Sequence, residues 1–222
     1  MNNELAVQSH IAHRTSPDYV QNSGEVIHVV LAVYDPSGSY SQHAGVVMTS
    51  IFENTKSKVV IHILHDDTLT DENRQKFIRT AEKYSQGLEL HDVREQKKIF
   101  TSTAVELAKR RCSIGALYRL LIPDILNNLN KVVYLDCDLI VNLDIRDLWQ
   151  INIDNYCLAG VLDMLSVATL SEALRDRING CSVKTFVNSG VLVMNLEMIR
   201  KRGNLFQNSM TWIGRHVHLM KF

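Results

Sequence analysis

The sequence has few of the features that mark secreted, membrane-spanning or disulfide-stabilised proteins. Its four cysteines are scattered, with no C-x-x-C pair and no zinc-finger spacing: Cys112, Cys137, Cys157 and Cys181. We therefore expect reduced thiols in a cytoplasmic protein. No apolar run approaches the roughly 18 residues that a membrane-spanning helix needs. The N-terminus lacks the charged-then-apolar pattern of a secretion signal.

The chain also lacks net charge. Its 222 residues include 24 basic and 24 acidic ones, so no overall field favours nucleic acid or an acidic membrane surface. With 45% hydrophobic and 22% charged residues, the composition is that of a globular protein. The length fits one domain. Residues 1–24 are polar and without sustained periodicity, which predicts a flexible arm before a domain at residues 25–222.

Strand-like and helix-like segments alternate from Val26 onward. Strands are predicted at "VIHVVLAVY", "KVVIHIL" and "LELHDV", with helices at "QHAGVVMTSIFEN" and "TDENRQKFIRTAEKYSQG" between them. Further helices are predicted at Ser113–Leu126, stopped or bent near Pro123, and at residues 205–220. The alternation predicts an α/β domain with a Rossmann-like, mostly parallel sheet flanked by helices. Such sheets bind ligands at the carboxyl ends of their strands.

One predicted strand, "KVVYLDCDLIV", carries two carboxylates one residue apart, Asp136 and Asp138. On an extended backbone residues i and i+2 point to the same side, so both can face one ligand while Cys137 points into the core. Two like charges about 5 Å apart repel by roughly 3 kcal/mol at an effective dielectric near 20. A proton, a basic side chain or a divalent cation must offset that repulsion. Oxygen-only ligands suit Mg²⁺ or Mn²⁺.

The pair of aspartates also fits three other settings, one without a metal and two with one. The two aspartates can be solvated side chains at a strand-to-loop junction. A calcium loop is disfavoured because leucine and isoleucine follow where further oxygen ligands and a glycine are needed. A phosphatase of the haloacid-dehalogenase kind also has D-x-D after an apolar strand, but near the start of its domain.

Several blocks together resemble family 8 glycosyltransferases, which include glycogenin and bacterial lipopolysaccharide galactosyl- and glucosyltransferases. The blocks are "VVLAVYD…SYSQHAGVVMTSIFEN", "YRLLIPDIL", "KVVYLDCDLIV" and "FVNSGVLVMNL", in the family's order and spacing. The resemblance implies a GT-A fold. It also implies retaining transfer of a hexose from a UDP-sugar to a saccharide or glycolipid acceptor, with Mn²⁺ or Mg²⁺ as cofactor.

The resemblance implies a role for each matching residue. Asp136 and Asp138 are the metal ligands of the D-x-D motif, and with Cys137 they form its donor-binding segment. The remaining matches line the donor: Ala32 and Asp35 against the nucleoside, Arg119 at the diphosphate and sugar, Asp163 near the sugar, and Asn188 with Ser189 in the sugar pocket. Arg119, Asp163 and Asn188 are the candidate catalytic residues. The turn "YDPSGSY" is longer than the family's usual one, which affects the match at Asp35.

The match to the family is incomplete after "FVNSGVLVMNL". No D-Q dipeptide and no histidine–glycine segment follow Asn188, and His216 and His218 lack the family's flanking residues. We therefore expect a donor-binding half-site whose transfer activity alone is weak. Family members often attach to membranes through a basic, aromatic C-terminal tail, which points to the cytoplasmic membrane face and a role in cell-surface polysaccharide synthesis.

Overall fold

The computed structural model describes residues 25–100, 105–106, 113–162 and 187–203. The strands are β1 (Ile27–Val33), β2 (Val59–His65), β3 (Gly87–Asp92), β4 (Lys131–Leu135), β5 (Leu158–Leu162) and β6 (Val187–Asn195). The helices are α1 (Ser41–Asn54), α2 (Asp71–Lys83), α3 (Gly115–Tyr118), α4 (Ile122–Ile125), α5 (Arg146–Trp149) and α6 (Leu196–Lys201), with 3-10 turns at Gln96–Ile99 and Arg119–Leu121. None of the helices in these ranges is long and apolar enough to cross a bilayer.

The described strands form one sheet in the order β3-β2-β1-β4-β6-β5. The β1, β2, β3 and β4 strands run parallel, and β6 pairs antiparallel with β4 and β5. Alternate residues of each inner strand bury into two hydrophobic layers, one on each face. This accounts for the nearly continuous apolar strands in the sequence. The prediction of an α/β domain with a mostly parallel sheet flanked by helices is confirmed.

Helix α2 begins where the sequence predicts. The Thr70 side chain accepts a hydrogen bond from the Asn73 backbone N–H, and Asp71 and Glu72 fill the first turn. The helix ends at Lys83, before the end of the predicted segment "TDENRQKFIRTAEKYSQG", and Ser85 then takes the left-handed conformation (φ 52°). Gly87 instead opens β3, where a Cβ would lie 2.7 Å from Cγ2 of Val60.

The predicted helix at Ser113–Leu126 is broken into three short pieces. Pro123 has no N–H to donate to the Arg119 carbonyl four residues earlier, so the Ile122 N–H donates to that carbonyl instead. The resulting 3-10 turn places Arg119 at the break. The helix predicted at residues 205–220 lies outside the described residues.

Candidate functional site

The candidate site lies at the edge of the sheet where β1, β2 and β4 end. Asp136 directly follows β4, and its backbone N–H donates to the Gly190 carbonyl at 2.8 Å. Since β6 runs antiparallel to β4, the early residues of β6 meet this edge as well. The topology therefore brings Asp136 and the segment Asn188–Gly190 together, although they are far apart in the sequence.

One oxygen of the Asp136 carboxylate accepts two hydrogen bonds. Oδ1 accepts from the Tyr134 hydroxyl at 2.7 Å and from Arg119 Nη2 at 2.9 Å. Tyr134 is buried, and burial raises the pKa of its phenol well above the usual value, so the hydroxyl stays a donor. Among the described residues no partner is found for the other oxygen, Oδ2, which faces Gly190. One oxygen is thus fixed and the other remains available.

Arg119 connects three parts of the site. Its Nε donates to the Ala116 carbonyl at 2.8 Å, and its Nη1 donates to the Ser189 carbonyl. The guanidinium carbon also stacks 4.5 Å from the centre of the Tyr134 ring. These contacts hold the guanidinium beside Asp136 in one orientation.

The repulsion between the two D-x-D carboxylates is offset in the structure by a basic side chain. The Arg119 guanidinium pairs with Asp136, and its own side chain is only 14% exposed. Asp138 is exposed, where water screens its charge. Of the three compensating groups that the sequence allows, the structure therefore shows the basic side chain.

Cys137 and Ala32 form the floor of the site. The Cys137 side chain is 2% exposed, and its thiol donates to the Ala32 carbonyl at 3.4 Å. Burial, with Asp136 nearby, raises the pKa of the Cys137 thiol to about 12, so it is an inert core group. Because the side chain is buried, only the backbone of Cys137 could contact a ligand.

Tyr40 is a site residue that the sequence reasoning missed. Tyr40 is half-buried and directly precedes α1. It packs against the hydrophobic cluster that contains Cys137, which places it beside the D-x-D segment. Burial raises the pKa of its phenol, with further upward contributions from Cys137, Asp138 and Asp136. An aromatic residue at the start of the first helix after β1 is the signal that could have identified it.

Asp35 has a helix-anchoring function in the structure. Its carboxylate accepts hydrogen bonds from the Tyr40 and Ser41 backbone N–H groups at 2.8 and 2.9 Å, and from the Ser41 hydroxyl. Burial alone raises the pKa of Asp35, but these hydrogen bonds outweigh it and hold the pKa low. The carboxylate thus fixes the start of α1 and the position of Tyr40. Its predicted contact with a nucleoside stays a prediction.

A second buried carboxylate braces the same edge. Asp66 accepts hydrogen bonds from Lys97 at 2.7 Å, from the Tyr118 hydroxyl at 2.9 Å and from the Thr68 hydroxyl at 2.6 Å. Thr68 in turn accepts from the Asp35 backbone N–H at 2.8 Å. A polar network thereby joins the ends of β1 and β2 and stabilises this edge of the sheet. The Asp35 and Asp66 carboxylates are engaged in these hydrogen bonds rather than directed at a ligand.

The start of β6 supplies the remaining described residues of the site. The Asn188 side-chain oxygen accepts from the Gly190 N–H at 2.8 Å, and both Asn188 and Ser189 are exposed at the edge. A Cβ on Gly190 would lie 2.9 Å from Asp136 Oδ2, so this glycine permits the close approach of β6 to the D-x-D segment. Asp163, the last predicted site residue, lies outside the described residues.

Comparison with known proteins assigns the family. Residues 12–222 match the model of glycosyl transferase family 8. The chain belongs to this family. The resemblance inferred from the sequence blocks is therefore confirmed.

Relatives of this family 8 chain are distant and longer. One relative is a Haemophilus influenzae protein named as a glycosyltransferase. It is 28% identical over 191 residues, which make up 86% of this chain and 55% of that protein. General stress protein A of Bacillus subtilis is 26% identical over 196 residues, which make up 86% of this chain and 63% of that protein. The chain thus spans less than two thirds of the length of either relative.

A solved structure confirms the predicted GT-A type of fold. Galactosyltransferase LgtC, crystallised with donor and acceptor sugar analogs, superposes with a TM-score of 0.73 over 88% of this chain and 67% of its own chain. The two sequences are 22% identical. At that identity the likeness concerns the fold alone.

The donor set of this family 8 chain fits a hard divalent cation. Asp136 Oδ2 and the exposed Asp138 carboxylate offer two oxygen ligands, and the described residues give neither of them a hydrogen-bond donor. Mg²⁺ and Mn²⁺ are commonly held by one or two carboxylates, with water and phosphate oxygens in the remaining positions. The residues present are therefore suited to such an ion.

Proposed function

We propose that this chain is the donor-binding part of a metal-dependent, retaining glycosyltransferase that transfers a hexose from a UDP-sugar to a saccharide acceptor. The observation that carries the proposal is the Arg119–Asp136 ion pair at the end of β4, in a chain of family 8. The pair puts a fixed guanidinium next to a carboxylate with one available oxygen. That combination of groups suits a diphosphate bridged to a cation.

Arg119 is assigned to the donor diphosphate. Cleavage of the sugar–phosphate bond increases negative charge on the departing nucleotide, and a planar guanidinium donates paired hydrogen bonds to phosphate oxygens. The contacts of Arg119 with Ala116, Ser189 and the Tyr134 ring fix its orientation before any ligand binds. A preorganised donor of this kind stabilises developing charge with little rearrangement.

Asp136 and Asp138 are assigned to the cation, Mn²⁺ or Mg²⁺. When bound, such an ion acts as a Lewis acid for the phosphate leaving group. The Tyr134 hydroxyl and Arg119 hold Oδ1 of Asp136, which keeps Oδ2 directed toward the site. Asp138 is exposed, and its carboxylate would complete the pair of ligands.

The remaining residues are assigned to the nucleoside and the sugar. The Ala32 carbonyl accepts from the Cys137 thiol, and Tyr40 packs against the cluster that contains Cys137, so both are close to the D-x-D segment. An aromatic face at this place can pack against a base. The exposed Asn188 and Ser189 offer amide and hydroxyl groups to sugar hydroxyls. Asp163 keeps its predicted place near the sugar as a hypothesis.

A second candidate function is nucleotide-sugar binding without efficient transfer. It is favoured by the composition of the described site, whose residues are all assigned to the donor. Cell-surface polysaccharide or lipopolysaccharide synthesis at the cytoplasmic membrane face is the setting we propose for the transferase.

Calorimetry tests the donor site. UDP should bind with Mn²⁺ present and bind much more weakly without it, and Asp136→Asn or Asp138→Asn should abolish the metal dependence. Asp154→Asn changes an exposed aspartate away from the site and serves as the matched control. Metal-dependent UDP binding that survives in both D-x-D variants would contradict the assignment.

UDP release then separates the two candidate functions. The chain is incubated with Mn²⁺, a saccharide acceptor and either UDP-glucose or UDP-galactose. Acceptor-dependent release that is lost in Asp136→Asn supports the transferase. UDP binding without acceptor-dependent release supports the binding protein.

A further inference from the structure

A cluster of imidazoles on the other half of the sheet is unrelated to the donor site. His28 of β1, His62 of β2 and His91 of β3 lie in a row on one face, with Glu89 of β3 beside them. Glu89 and His91 share that face because they are two residues apart on one strand, and His62 pairs in register with Glu89. The D-x-D segment follows β4, on the far side of β1.

We propose that His62, Glu89 and His91 form a binding site for a zinc-like transition-metal ion. His62 Nδ1 and His91 Nε2 lie 3.0 Å apart, and Glu89 Oε2 lies 3.3 Å from the first and 3.5 Å from the second. Ligand atoms of a tetrahedral zinc site with bonds of about 2.0–2.2 Å are about 3.4 Å apart. The three atoms therefore already form one face of such a tetrahedron.

The surroundings of His62 suit a metal ligand. Its second nitrogen, Nε2, lies 2.9 Å from Nδ1 of His28, so an N–H on Nε2 can donate to His28 and leave the lone pair of Nδ1 directed at His91 Nε2, 3.0 Å away, where an ion would replace the hydrogen bond between the two rings. A hydrogen bond of this kind from the second ring nitrogen commonly fixes the tautomer and orientation of a metal-binding histidine. The ligating nitrogen of a metal-binding histidine must be unprotonated, and the almost complete burial of the His62 side chain disfavours the charged imidazolium.

The fourth position of the site can be reached from solvent. The His62 side chain is 2% exposed, but those of His91 and Glu89 are 20% and 57% exposed. An ion can therefore enter from the Glu89 side, with water as its fourth ligand. Two imidazoles and one carboxylate favour Zn²⁺, Ni²⁺ or Cu²⁺ over Mg²⁺, which distinguishes this site from the oxygen-only D-x-D pair.

The proposed ion would hold an edge strand in place. The β3 strand is at one edge of the sheet and pairs only with β2 among the described strands. An ion held by one β2 residue and two β3 residues would link the two strands through their side chains. Zinc should then stabilise the folded chain, in addition to any effect of the donor site.

Zinc titration of the whole chain tests the proposal. Calorimetry is carried out in excess Mg²⁺, which occupies the oxygen-only site. We expect one zinc equivalent whose affinity falls by at least about tenfold in Glu89→Gln and in His91→Gln, since even outer-shell partners are commonly worth that much. Glu82→Gln and His43→Gln, at exposed positions away from the cluster, are the matched controls and should bind as the unaltered chain does.

A second measurement keeps the test independent of folding. Circular dichroism should give the same spectrum for Glu89→Gln as for the unaltered chain, because this side chain is exposed. Co²⁺ should give the intense visible absorption of tetrahedral cobalt, and that absorption should be lost in Glu89→Gln. Zinc affinity unchanged in both cluster variants, or no stoichiometric zinc binding, would overturn the proposal and leave a hydrogen-bonded row of histidines.

Discussion

Tyr134→Phe is the substitution that best tests how the Asp136 carboxylate is held. The change removes one hydroxyl, whose bond to Asp136 Oδ1 is 2.7 Å long, and leaves the ring that stacks on Arg119. Hydrogen bonds to charged groups contribute about 1.5–3 kcal/mol. The Asp136 side chain is 33% exposed, so water recovers part of this and we take the lower value of about 1.5 kcal/mol. For a chain of this size that corresponds to a melting temperature lower by about 3–6 °C.

The same substitution should also weaken donor binding. Without the hydroxyl, Arg119 is the remaining side-chain partner of the Asp136 carboxylate among the described residues, and the carboxylate can rotate away from the direction proposed to serve a cation. We expect Mn²⁺-dependent UDP affinity to fall by about threefold to tenfold, equivalent to about 0.7–1.4 kcal/mol. Urea unfolding followed by circular dichroism measures the first effect, and calorimetry with UDP and Mn²⁺ measures the second.

Tyr118→Phe is the matched control. Tyr118 is equally buried and its hydroxyl donates to a different carboxylate, Asp66, at 2.9 Å. It should lose at least as much stability, because the Asp66 side chain is fully buried and water cannot replace the lost bond, and it should keep its affinity for UDP. Equal losses of UDP affinity in the two variants would show that only general destabilisation is being measured. Unchanged stability in Tyr134→Phe would refute the hydrogen bond itself.

Three further changes have expected outcomes of different kinds. Gly190→Ala places a Cβ 2.9 Å from Asp136 Oδ2, so it should weaken Mn²⁺-dependent UDP binding in calorimetry at a stability cost below about 1 kcal/mol; unchanged affinity would count against the close approach. Burial raises the pKa of Asp66, but hydrogen bonds from Lys97 and others outweigh burial and hold the pKa below 3.8. The folded chain is therefore stabilised above that pH and loses this stabilisation in acid. Lys97→Met should move acid unfolding, followed by circular dichroism, to higher pH. Burial lowers the pKa of His62 from 6.5 to about 3, so the unfolded chain binds a proton more readily than the folded one. The free energy of unfolding should therefore fall as the pH drops from 6.5 toward about 3, by at most about 1.4 kcal/mol per pH unit. His62→Gln should flatten this slope in urea unfolding.

The strands and the D-x-D position could be predicted from the sequence because both depend on local pattern. β-Branched runs such as Ile27–Val33 are buried on both faces, and Asp136 follows the last apolar residue of its strand. The break at Arg119 was only partly predictable. Pro123 indicated a bend, but the 3-10 turn depends on which N–H replaces the missing donor.

Contacts between distant segments could not be predicted in the same way. The row formed by His28, His62 and His91 depends on the register of three strands, and a shift of one residue in any of them would send its imidazole to the opposite face. The anchoring of α1 by Asp35 likewise depends on how the turn after β1 folds back. Sequence reasoning placed Asp35 at the correct edge but assigned it only to a ligand.

The Arg119–Asp136 pair lets the donor site be stable before a ligand binds and still be ready to bind one. A buried or half-buried pair of carboxylates that depended on a cation would destabilise the fold whenever the cation left. Here Arg119 compensates Asp136 continuously through Oδ1, while Oδ2 and Asp138 stay available. In the proposed function, a cation and a diphosphate would bind without first reorganising Asp136, so less of their binding energy would be spent on ordering the site. The arginine that stabilises this edge of the sheet would then also contact the phosphates.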